Sequence, residues 1–144
     1  HCYVVIMHSK ENDNSPHASN KEKIYTDIIA DISEFLEQRI TFAKYTGISE
    51  HQIILDPGMG KFLSNNPDDS WELLERFDEL CNHFKNFPVL VGVSRKGFLG
   101  GAIENRDVIS QETALKAVNK GGRIIRTHNV SMMHSTLLGH SKTN

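Results

Sequence analysis

Three apolar runs in this chain each stop abruptly at ionisable residues: Ile53-Ile54-Leu55-Asp56-Pro57-Gly58-Met59-Gly60, Val89-Leu90-Val91-Gly92-Val93-Ser94-Arg95-Lys96, and Ile124-Ile125-Arg126-Thr127-His128. Continuous branched apolar residues mark strands buried on both faces, the condition of a parallel sheet covered by helices. A charged residue at the carboxyl end of each run puts polar groups on one rim, where parallel α/β folds carry their chemistry. A fourth run, Cys2 to Met7, opens the chain.

Between the runs the pattern changes to helical spacing. After a polar loop from Ser9 to Asn20, Ile24, Ile28, Ile32, Phe35, Leu36, Ile40 and Ala43 predict a helix over about 22–45, stopped by Gly47. A strand over 52–55 follows. Asp68, Asp69 or Ser70 is positioned to cap a second helix reaching Phe84, with Trp71, Leu74, Phe77 and Leu80 on its buried side. A strand over 88–93 leads into a rim loop through Gly100 and Gly101, and a third helix runs from Ser110 to about Gly121. The last strand spans 123–127. Beyond Val130 the helical pattern is weak, and residues 139–144 read as a frayed tail.

Four strand-then-helix units in series predict a parallel sheet with right-handed crossovers. An open doubly wound sheet fits the length, but it places phosphate-binding glycines after its first strand, and this chain has none there. A (β/α)₈ barrel takes roughly 250 residues. The 144 residues therefore read as one partial domain, half of such a barrel. The start at His1, inside an apolar run and without a methionine, reads as a fragment.

Composition narrows the function classes. Sixteen basic and 18 acidic residues give a net charge of −2, which does not suit a nucleic-acid binder. No apolar stretch approaches the roughly 20 residues of a membrane span, and no signal peptide opens the chain, so a cytoplasmic protein is expected. Cys2 and Cys81 read as free thiols.

On the rim, Asp56 sits on a rigid Asp-Pro-Gly turn, and Lys96, Arg126 and His128 supply a cationic cluster suited to a phosphate or diphosphate. A carboxylate facing cations suits a substrate with an N–H-rich head and an anionic leaving group. A barrel metallohydrolase built on His8, Asp56, Lys96 and His128 is a weaker alternative, because no His-x-His pair is present. A Schiff-base role for Lys96 is weaker still, since Arg95 and an open rim would not desolvate it.

The segments Leu55-Asp56-Pro57-Gly58-Met59-Gly60, Ser94-Arg95-Lys96-Gly97-Phe98-Leu99-Gly100 and Arg126-Thr127-His128-Asn129-Val130 resemble, in order, the signatures on the last three strands of the dihydropteroate synthase family. Val4-Val5-Ile6-Met7-His8 is similar to that family's fifth strand. The resemblance reaches about Val130 and implies the C-terminal half, four βα units, of a (β/α)₈ TIM barrel. It implies a transferase of folate biosynthesis and sulfonamide target, which condenses 6-hydroxymethyl-7,8-dihydropterin diphosphate with 4-aminobenzoate and releases pyrophosphate. Asp56, Lys96, Met7 and Gly92 would then bind the pterin, and Arg126 and His128 the diphosphate, with Lys96, Arg126 and His128 catalytic. Ser94, Arg95, Gly97 and Phe62 would border the aminobenzoate, its carboxylate against a helix entry at Lys96-Gly97.

The same resemblance implies Mg²⁺, with its ligand in a missing N-terminal half, no metal ligand in this piece, and a homodimer when complete. This piece alone would be inactive. The chain departs from the family twice. Lys61 stands where an aromatic or similar residue packs on the aminobenzoate ring, with Phe62 one place later, and Gly97 stands where a serine is common. Those departures favour, as the alternative, a non-catalytic pterin-binding module.

Overall fold

The computed structural model describes residues 2–9 and 24–140. Four strands lie side by side and parallel. The first, β1 (Val4–Met7), pairs with β2 (Ile53–Asp56) in a register that sets Val4 against Ile53 and Met7 against Asp56. A parallel bridge between Leu55 and Val89 joins β2 to the third strand, and β3 (Leu90–Val91) pairs with β4 (Ile124–Ile125). The ladders of β3 and β4 are shorter than the apolar runs predict. Beyond them the backbone turns into the rim: Lys96 N–H closes a turn onto Val93 C=O at 3.1 Å.

The first helix, α1 (Ile28–Tyr45), covers this sheet with Ile28, Ile32, Leu36, Ile40 and Ala43, the predicted stripe. It starts six residues later than expected. Asp27 ends the preceding chain in an extended conformation, and its Oδ1 accepts from Ile29 N–H at 2.9 Å and Ala30 N–H at 3.0 Å, which satisfies donors a helix leaves open at its N-terminus. Ile24, expected on the core face, lies outside the helix and is 87% exposed. Residues 22 and 23, and the loop assigned to residues 10–20, lie outside the described residues.

The second predicted helix is two. Helix α2 (Pro67–Glu75) is capped by Asn66 rather than by Asp68, Asp69 or Ser70: Asn66 Oδ1 accepts from Asp68 N–H at 3.2 Å, and Pro67, which has no N–H to satisfy, fits the first turn. The helical path breaks at Arg76, and α3 (Phe77–His83) follows. The Arg76 guanidinium binds Glu72 on one side of the break, Glu79 on the other, and Asp27 at the start of α1. Leu73, Leu74, Phe77 and Leu80 are buried, whereas Trp71 is half-buried and meets Phe98 edge-to-face at 5.2 Å.

Helix α4 (Arg106–Asn119) begins one turn before the predicted Ser110, and α5 (Val130–His140) is a full helix where the sequence signal is weak, held by Met133 in the core. Gly139 and His140 close α5, and 141–144 lie outside the described residues. No described helix is long and apolar enough to cross a membrane.

Candidate functional site

The carboxyl ends of the strands open on a cavity of about 340 Å³, lined by Met7 from β1, Phe62, Gly92, Ser94, Lys96, and then Arg126, Thr127 and His128 after β4. Parallel pairing makes this convergence unavoidable. Once β1, β2, β3 and β4 run the same way, the residues that end each apolar run meet on one rim.

Asp56 is 1% exposed, at the last position of β2. Its Oδ1 accepts from Gly58 N–H at 2.9 Å, the Asx-type bond that fixes an Asp-Pro-Gly turn. Gly58 is required here twice over. Its φ is +74°, and an added Cβ would stand 2.5 Å from the carbonyl oxygen of His8. Next along, Gly60 N–H donates to the hydroxyl of fully buried Ser70 at 3.0 Å, which ties the turn to α2. The other carboxylate oxygen, Oδ2, lies 2.8 Å from Arg126 Nη1. The N–H is not directed along a hydrogen bond, so Oδ2 is a buried oxygen held by charge alone.

Arg126 reaches Asp56 by lying across Gly92: a Cβ there would be 2.7 Å from Nη2 and 3.2 Å from Cζ. Lys96 is half-buried, its Nζ 4.3 Å from the centre of the Phe62 ring. Burial pushes the Lys96 pKa down, the Arg126 guanidinium adds to the push, and Asp56 partly opposes it. This differs from the expectation of an undesolvated lysine, and the reason is local. The adjacent cation Arg95 turns away.

Arg95 has φ of +57°, a left-handed backbone that is costly for a side-chain-bearing residue. It is held there from three sides. Its N–H donates to Ser110 Oγ at 3.0 Å, its carbonyl accepts from Arg106, and its guanidinium grips Asp107 through two bonds of 2.8 and 2.9 Å. That grip, more than anything else, holds the Asp107 carboxyl below the usual carboxylate range. The same turn that sends Lys96 into the cavity therefore sends Arg95 out of it.

His128 is held through Ser94, which is 7% exposed. The Ser94 hydroxyl accepts from His128 N–H at 3.1 Å and lies 2.9 Å from the ring Nδ1.

Of the residues singled out from sequence, the structure brings Met7, Asp56, Phe62, Gly92, Ser94, Lys96, Arg126 and His128 to one place. Arg95 and Gly97 are outside the lining. Gly97 opens a three-residue 3₁₀ turn, Gly97–Leu99, with no atom within 4 Å of a would-be Cβ, and no α-helix begins at Lys96-Gly97; the next one starts at Arg106. Lys61 is exposed, and Phe62 supplies the aromatic wall from the following position.

His8, considered for a metallohydrolase, is fully buried beneath the site, with Nδ1 3.2 Å from Pro57 C=O and its ring edge-on to Phe35. Among the described residues no three His, Cys, Asp or Glu side chains could hold a metal ion. Thr127, unassigned from sequence although inside a quoted motif, lines the cavity. Ser70, Arg106 and Asp107 act behind it, and nothing in their local sequence marks them.

Residues 1–128 match the family model described as pterin binding enzyme. The chain is 36% identical over 143 residues to the dihydropteroate synthase type-3 of Escherichia coli, covering 94% of this chain and 52% of that protein. It is 40% identical over 130 residues to the type-2 enzyme of Escherichia coli, covering 87% of this chain and 46% of that protein. Dihydropteroate synthase from Stenotrophomonas maltophilia superposes with a TM-score of 0.84 at 27% identity, over 98% of this chain and 52% of that one. The Xanthomonas albilineans enzyme with 4-aminobenzoic acid superposes with a TM-score of 0.83 at 29% identity, over 98% and 49%. The chain thus spans about half the length of the relatives it matches, and its four parallel βα units are part of a TIM barrel. By its match to the family model over residues 1–128, and by the fold that carries it, the chain belongs to the pterin binding enzyme family.

Proposed function

We propose that the complete protein containing this chain is a dihydropteroate synthase, which joins 6-hydroxymethyl-7,8-dihydropterin diphosphate to 4-aminobenzoate. The observation that carries this reading is the buried Asp56 carboxylate, one oxygen without a hydrogen bond, set in the same rim as Lys96, Arg126 and His128. A buried acceptor of that kind is strongly favoured to take an N–H donor. The pterin head offers such donors, and Lys96 can donate to its acceptor atoms above Met7. Arg126 and His128 then meet the diphosphate.

In the reaction the bond from the pterin methylene carbon to the diphosphate oxygen breaks, and its electron pair leaves with pyrophosphate. The aminobenzoate nitrogen supplies the pair for the new C–N bond and loses a proton. Arg126, with a charge available at the leaving oxygen, stabilises the developing negative charge. Phe62 offers a face to the aminobenzoate ring, which offsets the departure at Lys61.

Among the described residues no three His, Cys, Asp or Glu side chains could hold a metal ion, and the family resemblance implies a magnesium ligand in the N-terminal half. Family resemblance is the support for magnesium, for a cytoplasmic homodimer, and for sulfonamides as aminobenzoate mimics in the complete enzyme.

The test is pyrophosphate release by the complete protein with and without 4-aminobenzoate. Release that needs aminobenzoate and is lost in Asp56→Ala is expected. Pterin diphosphate binding without release would instead favour a non-catalytic pterin-binding module, the reading that exposed Lys61 and the unlined Gly97 support.

A further inference from the structure

We propose that Ser94 is a positioning residue that fixes both the orientation and the tautomer of His128, placing the ring proton on Nε2. The proposal rests on the synthase reading only where it speaks of the diphosphate.

Ser94 and His128 stand on different strand ends, 34 residues apart, and meet through one oxygen. Ser94 Oγ accepts the backbone N–H of His128 at 3.1 Å, which fixes where the residue begins, and touches Nδ1 at 2.9 Å, which fixes where the ring turns. The hydroxyl has one proton to donate. Ser94 is 7% exposed, and among the described residues Nδ1 is the acceptor within reach. With the proton on Nδ1, Ser94 Oγ would have to accept both the backbone and the ring N–H, and its own proton would be left without an acceptor among the described residues, at a buried site where unmet polar groups are costly. The hydroxyl therefore donates to Nδ1, and the ring carries its proton on Nε2.

The consequence is chemical. His128 is exposed and lines the cavity, so the nitrogen that Ser94 does not hold is the one left for a ligand. As an N–H it is a donor to an anionic oxygen. Ser94 thus acts through His128 on the departing diphosphate, as a partner behind a histidine ligand fixes the ligand's tautomer and direction.

The deciding experiment is ¹⁵N NMR of the His128 ring in the complete protein, paired with pyrophosphate-release kinetics of Ser94→Ala, Ser94→Thr and Ser94→Cys. Wild type is expected to show the Nε2–H tautomer. Ser94→Ala and Ser94→Cys should mix the tautomers and lower kcat about 10- to 100-fold with a smaller change in KM, and Ser94→Thr, which keeps the hydroxyl, should restore both. If Ser94→Ala does not fold, the Thr and Cys pair carries the comparison. An Nδ1–H ring in the wild type, or Ser94→Cys with wild-type tautomer and kcat, would overturn the proposal. An Nε2–H ring lost in Ser94→Cys, in a protein that releases no pyrophosphate, would overturn the synthase reading and support the Ser94 role.

Discussion

Gly92→Ala should separate binding from folding. The backbone at Gly92 is outside the left-handed region, so alanine meets no conformational strain there, and the added methyl would meet only the far end of a long side chain, Arg126 Nη2 at 2.7 Å. Ordinary carbon–nitrogen contact needs about 3.5 Å, so the guanidinium must retreat by about 0.8 Å. If that motion opens the 2.8 Å ion pair with Asp56 by the same amount, to about 3.6 Å, the Coulomb loss is about 1.3 kcal/mol at an effective dielectric of about 20 and about 0.3 kcal/mol at about 80. The Arg126 side chain is 49% exposed, which favours the lower figure. Replacing glycine with alanine returns about 0.4–1 kcal/mol through the unfolded chain. Stability should therefore change by less than about 1 kcal/mol.

Affinity for inorganic pyrophosphate should behave differently, because a charged hydrogen bond from Arg126 contributes about 1.5–3 kcal/mol, roughly 10- to 100-fold in Kd. Thermal melts read the first quantity and calorimetric titration the second, both on the complete protein. Gly58→Ala is the contrasting case. Its Cβ would meet the rigid His8 carbonyl at 2.5 Å at a φ of +74°, so it should cost stability by at least about 2 kcal/mol. If Gly92→Ala melts like Gly58→Ala, or binds pyrophosphate like wild type, the reasoning fails.

Two further outcomes follow from the packing. Phe77 is fully buried where α3 meets the core, and Phe77→Ala should destabilise by about 3–5 kcal/mol in a denaturant titration; less than about 1 kcal/mol would mean the site collapses without a cavity. Hydrogen bonds from the Ala30 N–H and from Arg76 hold the Asp27 carboxyl below its usual pKa, so its contribution is present above the unfolded value of about 3.9 and is lost as pH falls through the lower folded value. Asp27→Asn should accordingly melt below wild type at neutral pH and converge with it in acid, and a gap that persists unchanged to the most acidic folded condition would refute the assignment.

Much of the site was legible because strand ends advertise themselves: Asp56 and Arg126 each follow an apolar run directly, and a parallel sheet leaves one rim for them. The α1 stripe was legible because Ile28, Ile32 and Leu36 repeat every fourth position. What could not be read depended on partners distant in sequence. Arg95 and Lys96 are neighbours with the same charge, and only Asp107 and Ser110, 12 and 15 residues on, decide that one faces outward and the other in. The start of α1 depended on a cap at Asp27 that Arg76 braces from 49 residues away, and the break at Arg76 itself lay inside an uninterrupted helical pattern. Phe62, by contrast, was legible one place after Lys61, and the 3₁₀ turn Gly60–Phe62 carries it to the cavity wall.

Three hydroxyls, those of Ser70, Ser110 and Ser94, each receive one amide from a rim segment: Gly60, Arg95 and His128. All three serines are buried, so these amides are shielded as strand amides are, although they belong to loops. In hydrogen–deuterium exchange the rim would therefore register as slow material on the time scale of the sheet, with its floor and its edge opening together rather than the loops fluctuating over a static barrel. A pocket of that kind holds its charges in place before any ligand arrives, and the ordering that binding would otherwise require has already been met in folding.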